Sequence, residues 1–212
     1  MWTMPMLFFF LTSSAASRAG RTRKREFNNL SEKSSVRDAL QVLANGGTAV
    51  VFLVVWHIHA AAGWYVAALG SLAAATADTW GTELGFFNKS SPRLITNMRK
   101  TEPGRSGAVS LPGVASGFAG AFGIWVVASP WLKGDGPLLA IVTGGMVGTL
   151  ADSFLGATVQ MRYFCKICGK TTERMNHCGS KSVHVGGVWP IRNDLVNLLC
   201  TALGGVSAWL IA

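Results

Sequence analysis

Five apolar segments of about twenty residues constrain the fold of this chain more than any other feature. They cover residues 42–62, 64–87, 108–128, 137–160 and 191–211. A helix needs about 20 residues to cross the hydrocarbon core of a bilayer. Only 14% of the residues are charged, whereas an average soluble domain carries about 25%. We therefore predict an all-α, polytopic membrane helix bundle with five full spans.

The N-terminal region divides into two segments that precede these spans. Residues 1–14 are apolar but have no basic n-region and no small-residue cleavage site, which argues against a signal peptide. We interpret them as a partial span, the end of a helix whose beginning lies outside this sequence. Residues 15–36 are polar and basic and predict a cytoplasmic linker. Residues 37–212 then form the predicted integral membrane domain.

The basic residues predict the orientation. Eighteen of the nineteen Lys and Arg residues lie in 13–37, 86–107 and 161–192, and the exception is Lys133. Five alternating spans place these three segments on one side of the membrane, which the positive-inside rule identifies as the cytoplasm. The net charge of +9 is thereby explained by topology. We predict the bilayer, and no nucleic acid, as a partner.

Four of the ten acidic residues lie inside or beside apolar segments, close to the predicted cytoplasmic boundary. They are Asp78, Glu83, Asp152 and Asp194. A charge in a membrane span is costly and usually faces a partner, an ion or a substrate. Hydroxyl and amide side chains accompany them, namely Asn45, Thr79, Ser153, Asn193 and Asn197. Oxygen ligands suit Mg²⁺, so we predict a magnesium site at Asp78 and Asp152. The alternative is that these two acids form structural ion pairs with Arg93 or Arg105.

The acidic motifs also indicate an internal repeat. The sequence Ala-Asp-Thr at 77–79 and Ala-Asp-Ser at 151–153 occur near the same ends of two spans that run in the same direction. We interpret them as parts of parallel helix-pair pseudo-repeats, which often meet at a shared central site. Chance similarity between short apolar helices is the alternative.

The basic loop after the first acidic motif predicts a phosphate site. Its candidate residues are Arg93, Lys100, Gly104, Arg105, Ser106 and Gly107. A Gly/Ser-rich turn that opens a helix offers free backbone N–H groups to an anion, and arginine adds bidentate phosphate recognition. Acids for a metal beside such a turn are typical of phosphoryl transfer. The alternative for Gly104 and Gly107 is a role in turns and helix packing only.

A Cys/His loop at 161–190 predicts a second metal site. Cys165-x₂-Cys168-Gly and Cys178-Gly resemble the two halves of a tetrahedral zinc site. The fourth ligand is His177 or His184, and adjacent His177 and Cys178 could share one ion only with a sharp turn between them. We expect structural Zn²⁺. A disulfide or redox pair, which a reducing compartment disfavours, and free thiols are the alternatives.

The order of these motifs resembles the transmembrane protein 19 family, also called the domain-of-unknown-function 92 family. The resemblance covers roughly 37–212. It rests on RDALQVLANGG, ADTWGTELG, SPRLIT, GRSGAVSLPGVAS, ADSFLGATVQ and NDLVN. It implies an integral membrane protein and, through plant plastid members that are phytyl-phosphate kinases, a lipid-phosphate kinase reaction. A fainter similarity extends to dolichol kinases and other nucleotide-dependent polyprenol kinases.

The resemblance further implies a nucleoside triphosphate, CTP or ATP, as co-substrate and a prenyl- or phytyl-type monophosphate as acceptor. The residues that match the family motifs are Asp78, Thr79, Glu83, Arg93, Thr96, Gly104, Ser106, Gly107, Asp152, Ser153, Asn193, Asp194 and Asn197. We expect Asp78, Thr79, Glu83, Asp152 and Asp194 to be catalytic. Two other hypotheses are an ion- or proton-coupled transporter and a non-catalytic membrane scaffold organised by the zinc loop.

Overall fold

The predicted helical architecture is confirmed. A computed structural model describes residues 2–24, 39–85, 87, 91–134 and 136–212. Within these residues the chain forms α1 (Thr3–Lys24), α2 (Ala39–His59), α3 (Ala62–Gly85), α4 (Leu111–Ala128), α5 (Gly136–Thr158) and α6 (Asn193–Ile211). A short 3₁₀ turn, Ser129–Trp131, extends α4.

The prediction of five full spans is not fully confirmed. Four helices are long and apolar enough to cross a membrane, namely Ala39–His59, Leu111–Trp131, Pro137–Thr158 and Asn193–Ile211. Helix α3 has the length but does not reach the same apolarity among the described helices. The predicted start of the third span at 108 is also three residues early, because Ala108–Val109 form a strand.

Helix α3 is less apolar because it lies at the centre of the bundle. It contacts each of the other five helices, and every residue from Tyr65 to Ala77 is buried. A Cβ on Gly70 would lie 2.8 Å from the Gly204 carbonyl oxygen of α6, so the two backbones nearly touch. Small residues allow such close approach between membrane helices. The outer helices instead expose large apolar side chains, such as Val51, Phe118 and Leu203.

The connecting segments differ at the two ends of the bundle. At one end short turns join the helices, and Trp64 of α3 stacks on Trp209 of α6 with ring centroids 5.1 Å apart. Among the described residues, the other end, here called the polar end, has two long loops. In the first loop β1 (Arg93–Leu94) pairs antiparallel with β2 (Ala108–Val109).

The second loop of the polar end is a small β-structure between α5 and α6. Its strands are β3 (Arg162–Phe164), β4 (Thr171–Thr172), β5 (Asn176–His177), β6 (Ser180–Lys181) and β7 (Val183–Gly186). The order β4-β3-β7 makes a three-stranded sheet, and β5 and β6 form a separate hairpin. The Met161 backbone N–H donates a 2.8 Å hydrogen bond to the Ile191 carbonyl oxygen, which closes the base of this loop.

Helix α1 runs without interruption through the predicted boundary between the partial span and the linker at residue 14. It packs on α3 and α4: the Trp80 indole donates a hydrogen bond to Thr12 Oγ1 at 3.3 Å, and Phe8 lies against the same ring. Residues 25–36 of the predicted linker lie outside the described residues.

Candidate functional site

Two predicted catalytic acids meet between α3 and α5. Asp78 and Asp152 each lie in the last third of their helix, and a hydrogen bond joins their carboxyl groups. The Asp152 Oδ1 atom is buried and accepts no hydrogen bond from the described residues. Both acids also act electrostatically on Cys200 of α6. Three helices therefore contribute side chains to one acidic cluster, here called the acidic pocket, near the polar end.

A third carboxylate, which the sequence analysis missed, joins this pair. Glu173 follows β4 in the Cys/His loop, and its charge acts on Asp152. Its Oε1 atom accepts a hydrogen bond from the Ser106 hydroxyl of the first loop. In the sequence Glu173 resembles an ordinary loop acid. The sequence feature that could have identified it is its position, because it is the one acid between the two halves of the cysteine motif.

The Gly-Arg-Ser-Gly turn at 104–107 packs on the end of α5 that carries Asp152. The prediction that this turn directly precedes α4 is wrong. Gly107 has φ +79°, and a Cβ there would lie 2.7 Å from the Ser153 carbonyl oxygen. The extended β2 residues separate the turn from α4, whose N-cap is Ser110 with its hydroxyl 3.2 Å from Gly113 N. The turn therefore borders the acidic pocket through Ser106 and Gly107.

The predicted cationic side chains lie on the exposed surface of the same loop. Arg93, Lys100 and Arg105 are exposed, as are Thr96 and Gly104. The Arg93 guanidinium donates a 2.7 Å hydrogen bond to the Met98 carbonyl. These residues share the polar end with the acids, but their positive groups face solvent.

The remaining predicted acids, Glu83 and Asp194, lie on α3 and α6. Glu83 accepts a hydrogen bond from Ser17 of α1 at 3.3 Å, so it faces the α1–α3 interface. Asp194 lies in the first turn of α6 and is half-buried. The Thr79 hydroxyl donates to the Ala75 carbonyl of its own helix at 2.9 Å.

The predicted polar residues are distributed over α2, α5 and α6. Asn45 and Asn197 are buried, and Ser153 and Asn193 are half-buried. A hydrogen bond of 3.0 Å between Thr48 and Thr201 ties α2 to α6 in the same region. This hydrogen bond is a polar contact between α2 and α6.

The Cys/His loop assembles four ligand atoms, and His177 is the histidine among them. The thiols of Cys165, Cys168 and Cys178 and a ring nitrogen of His177 all lie within 4.8 Å of one another. His184 instead packs edge-on against Tyr163 in the β-sheet. The sharp turn that adjacent ligands require is present, because Cys178 and Gly179 have φ values of +52° and +73°. Two such residues form the tight turn of a hairpin.

The cysteines of this cluster have contrasting acidities. All four cysteines of the chain lie in the described residues and are free thiols. Hydrogen bonds from the Cys168 backbone, and then from the His177 side chain, lower the pKa of Cys165 to about 6. Desolvation and the neighbouring thiols raise the pKa of Cys178 to about 11.

Apolar helices around a buried acidic pocket define the chain as an integral membrane protein. Residues 1–205 match the family described as Integral membrane protein DUF92, and the chain belongs to that family. The resemblance read from the motifs is thereby confirmed. No solved structure matches the chain.

Two relatives illustrate the breadth of the family. Protein PGR of Arabidopsis thaliana is 30% identical over 93% of this chain and 77% of its own length. An uncharacterized membrane protein of Methanocaldococcus jannaschii is 32% identical over 97% of this chain and 74% of its own length.

Proposed function

We propose that this protein is a membrane lipid-phosphate kinase that transfers a phosphoryl group from CTP or ATP to a prenyl- or phytyl-type monophosphate. The observation that supports it most is the contact between Asp78 and Asp152 beside the Ser106–Gly107 turn. The hydrogen bond between these two carboxyl groups requires a shared proton, because two ionised carboxylates in contact would repel each other. Asp78 and Asp152 would hold a Mg²⁺ in place of that proton, and the ion would supply positive charge to balance the nucleotide phosphates.

The reaction requires positioning more than base catalysis. An oxygen of the acceptor phosphate attacks the γ-phosphorus, a new P–O–P bond forms, and the bond to the β-phosphate oxygen breaks. The nucleoside diphosphate leaves with that electron pair, and the acceptor becomes a diphosphate. The acceptor is already anionic, so charge neutralisation dominates the barrier. Mg²⁺ would supply this charge at the acids, and Arg93, Lys100 and Arg105 would supply it from the loop.

The membrane setting suits an acceptor with an isoprenoid tail. The large apolar residues on the outer faces of α2, α4 and α6 would lie in the acyl region, while the acidic pocket lies near the polar end. A phosphate on a prenyl chain would reach this pocket from the bilayer. Together with the basic loops, this arrangement leads us to propose that the polar end faces the cytoplasm.

The proposal is tested with purified full-length protein in lipid nanodiscs. Mg²⁺, CTP or ATP, and a panel of prenyl monophosphates from geranyl to phytyl and longer chains are supplied, and diphosphate is quantified by mass spectrometry. We expect product with at least one acceptor and its loss in Asp78→Asn. The matched carboxylate control is Glu102→Gln. Glu102 is exposed on the first loop of the polar end, so this substitution should leave the rate unchanged.

Two results would overturn the kinase proposal. One is the absence of diphosphate with every acceptor from wild-type protein that binds nucleotide and is correctly folded. The other is product formation that survives Asp78→Asn unchanged. Uptake of protons or cations into sealed vesicles, abolished by Asp78→Asn in the absence of nucleotide, would instead support the transporter hypothesis.

A further inference from the structure

The four potential ligand atoms of the Cys/His loop have distances that can be compared with those of a zinc site. The distances from His177 Nδ1 to the sulfurs of Cys168 and Cys178 are 3.5 Å and 3.3 Å. A zinc ion with bonds of about 2.3 Å to sulfur and about 2.0 Å to nitrogen separates tetrahedral ligands by roughly 3.5 Å. Three thiols and one imidazole therefore have the spacing of a closed structural zinc site.

The segment between the two ligand pairs holds Glu173. Cys165 and Cys168 precede it, and His177 and Cys178 follow it, so a metal ion would fix both ends of 169–176. Inside the loop, the Cys165 backbone N–H donates a hydrogen bond to the Lys170 carbonyl oxygen at 3.0 Å. Tyr163 of β3 is the strand partner of the buried Thr172 of β4. The backbone on both sides of Glu173 is thus restrained.

Glu173 completes a three-carboxylate arrangement. Ser106 donates a hydrogen bond to it, and the next residue, Gly107, packs against the carbonyl oxygen of Ser153, beside Asp152. The charge of Glu173 acts on Asp152, which in turn is hydrogen-bonded to Asp78. The buried Asp152 Oδ1 accepts no hydrogen bond from the described residues. Three neighbouring carboxylates can all be ionised only when a cation balances their charges, and their oxygens are suitable ligands for a divalent cation.

We propose that a zinc ion held by Cys165, Cys168, His177 and Cys178 fixes the loop so that Glu173 becomes the third carboxylate of a divalent-cation site with Asp78 and Asp152. The proposal rests on the acidic pocket of the proposed kinase. It adds a ligand from outside the membrane helices and assigns the Cys/His loop a positioning role.

The experiment measures two metals separately on the full-length protein in nanodiscs. Zinc content is determined by elemental analysis, and Mn²⁺, a paramagnetic substitute for Mg²⁺, is titrated by electron paramagnetic resonance. We expect one zinc per chain in the wild type. Glu173→Gln should keep that zinc and weaken Mn²⁺ binding about tenfold or more, the effect of losing a well-placed ligand.

Substitutions of His177 and His184 form a matched pair that tests whether zinc positions Glu173. His177→Ala should lose zinc and weaken Mn²⁺ binding to a similar extent as Glu173→Gln, whereas His184→Ala should retain both metals. In the double variant His177→Ala/Glu173→Gln, Mn²⁺ affinity should fall no further than in Glu173→Gln. Hydrogen exchange at 169–176 should rise in His177→Ala and stay unchanged in Glu173→Gln.

Each part of the proposal can fail on its own. Zinc bound equally by His177→Ala and the wild type would overturn the Cys₃His site. Unchanged Mn²⁺ affinity in Glu173→Gln would overturn the third ligand, and unchanged Mn²⁺ affinity in zinc-free His177→Ala would overturn the positioning role. Because neither metal measurement uses turnover, absence of kinase activity with intact Glu173-dependent Mn²⁺ binding would refute the proposed function alone.

Discussion

Asp78 of α3 and Asp152 of α5 share a hydrogen bond between their carboxyl groups, although 73 residues of intervening chain separate them. We expect Asp78→Asn and Asp152→Asn each to reduce kinase turnover at least about 100-fold, the scale of losing one preorganised electrostatic group. The double variant should be no worse than either single variant if both act through one cation. Multiplicative losses would show that the two acids act independently.

Glu83 is expected to behave differently from Asp78, although both belong to one motif. Its hydrogen bond to Ser17 directs it to α1, so Glu83→Gln should preserve most of the turnover. Its effect should appear as a small loss of thermal stability, about 1 kcal/mol for one hydrogen bond. Ser17→Ala should give a similar loss, which thermal unfolding in detergent would measure. A collapse of turnover in Glu83→Gln alone would place Glu83 in the catalytic site.

Gly204 tests the close packing of the central helix. A Cβ at this position would lie 2.6 Å from Ala74 Cβ and 3.0 Å from the Gly70 carbonyl oxygen. Gly204→Ala should therefore destabilise the bundle by about 1–3 kcal/mol, the usual cost of overpacking. The control is Gly46→Ala in α2, whose Cβ meets nothing within 4 Å and should stabilise the helix slightly. Equal melting temperatures for the two variants would contradict the observed contact.

Gly107 tests the contact between the basic loop and α5. Gly107→Ala introduces both an unfavourable positive φ and a collision with the Ser153 carbonyl oxygen. Gly134→Ala is the matched control, since Gly134 also has positive φ but its Cβ would meet nothing within 4 Å. Both changes should cost about 1 kcal/mol of backbone strain. Only Gly107→Ala should also raise the KM for the nucleotide. An equal rise in both variants would show that the contact of Gly107 with α5 does not contribute to nucleotide binding.

The sidedness of the polar end can be measured with introduced cysteines. Met98→Cys lies on the exposed first loop, and Ala61→Cys lies in the exposed turn at the opposite end. In intact cells a membrane-impermeant maleimide should label Ala61→Cys and leave Met98→Cys unlabelled above the background of the parent chain. The reverse pattern would place the basic loops outside the cell.

The helices could be predicted from the sequence because each apolar segment is long enough to identify alone. Helix α3 was predicted in the same way, but its lower apolarity reflects neighbours such as Gly204 that are far away in the sequence. Asp78 and Asp152 could be recognised because a charge in an apolar run is unusual. Glu173 could not, because its role depends on a β-structure that folds back towards Asp152. The sequence left the fourth ligand open between His177 and His184, since the left-handed backbone at Cys178 that brings His177 into the cluster is a property of the folded hairpin.

The modest apolarity of α3 has a consequence for how this protein is made. A segment with Asp78 and Glu83 in its final turns gains little from entering lipid by itself. Its connection to the apolar α2 consists of Ala60 and Ala61 alone, so the two helices are constrained to enter the bilayer together as a hairpin. We therefore expect the stable position of α3 in the bilayer to depend on α4, α5 and α6, which follow it in the chain and pack against it.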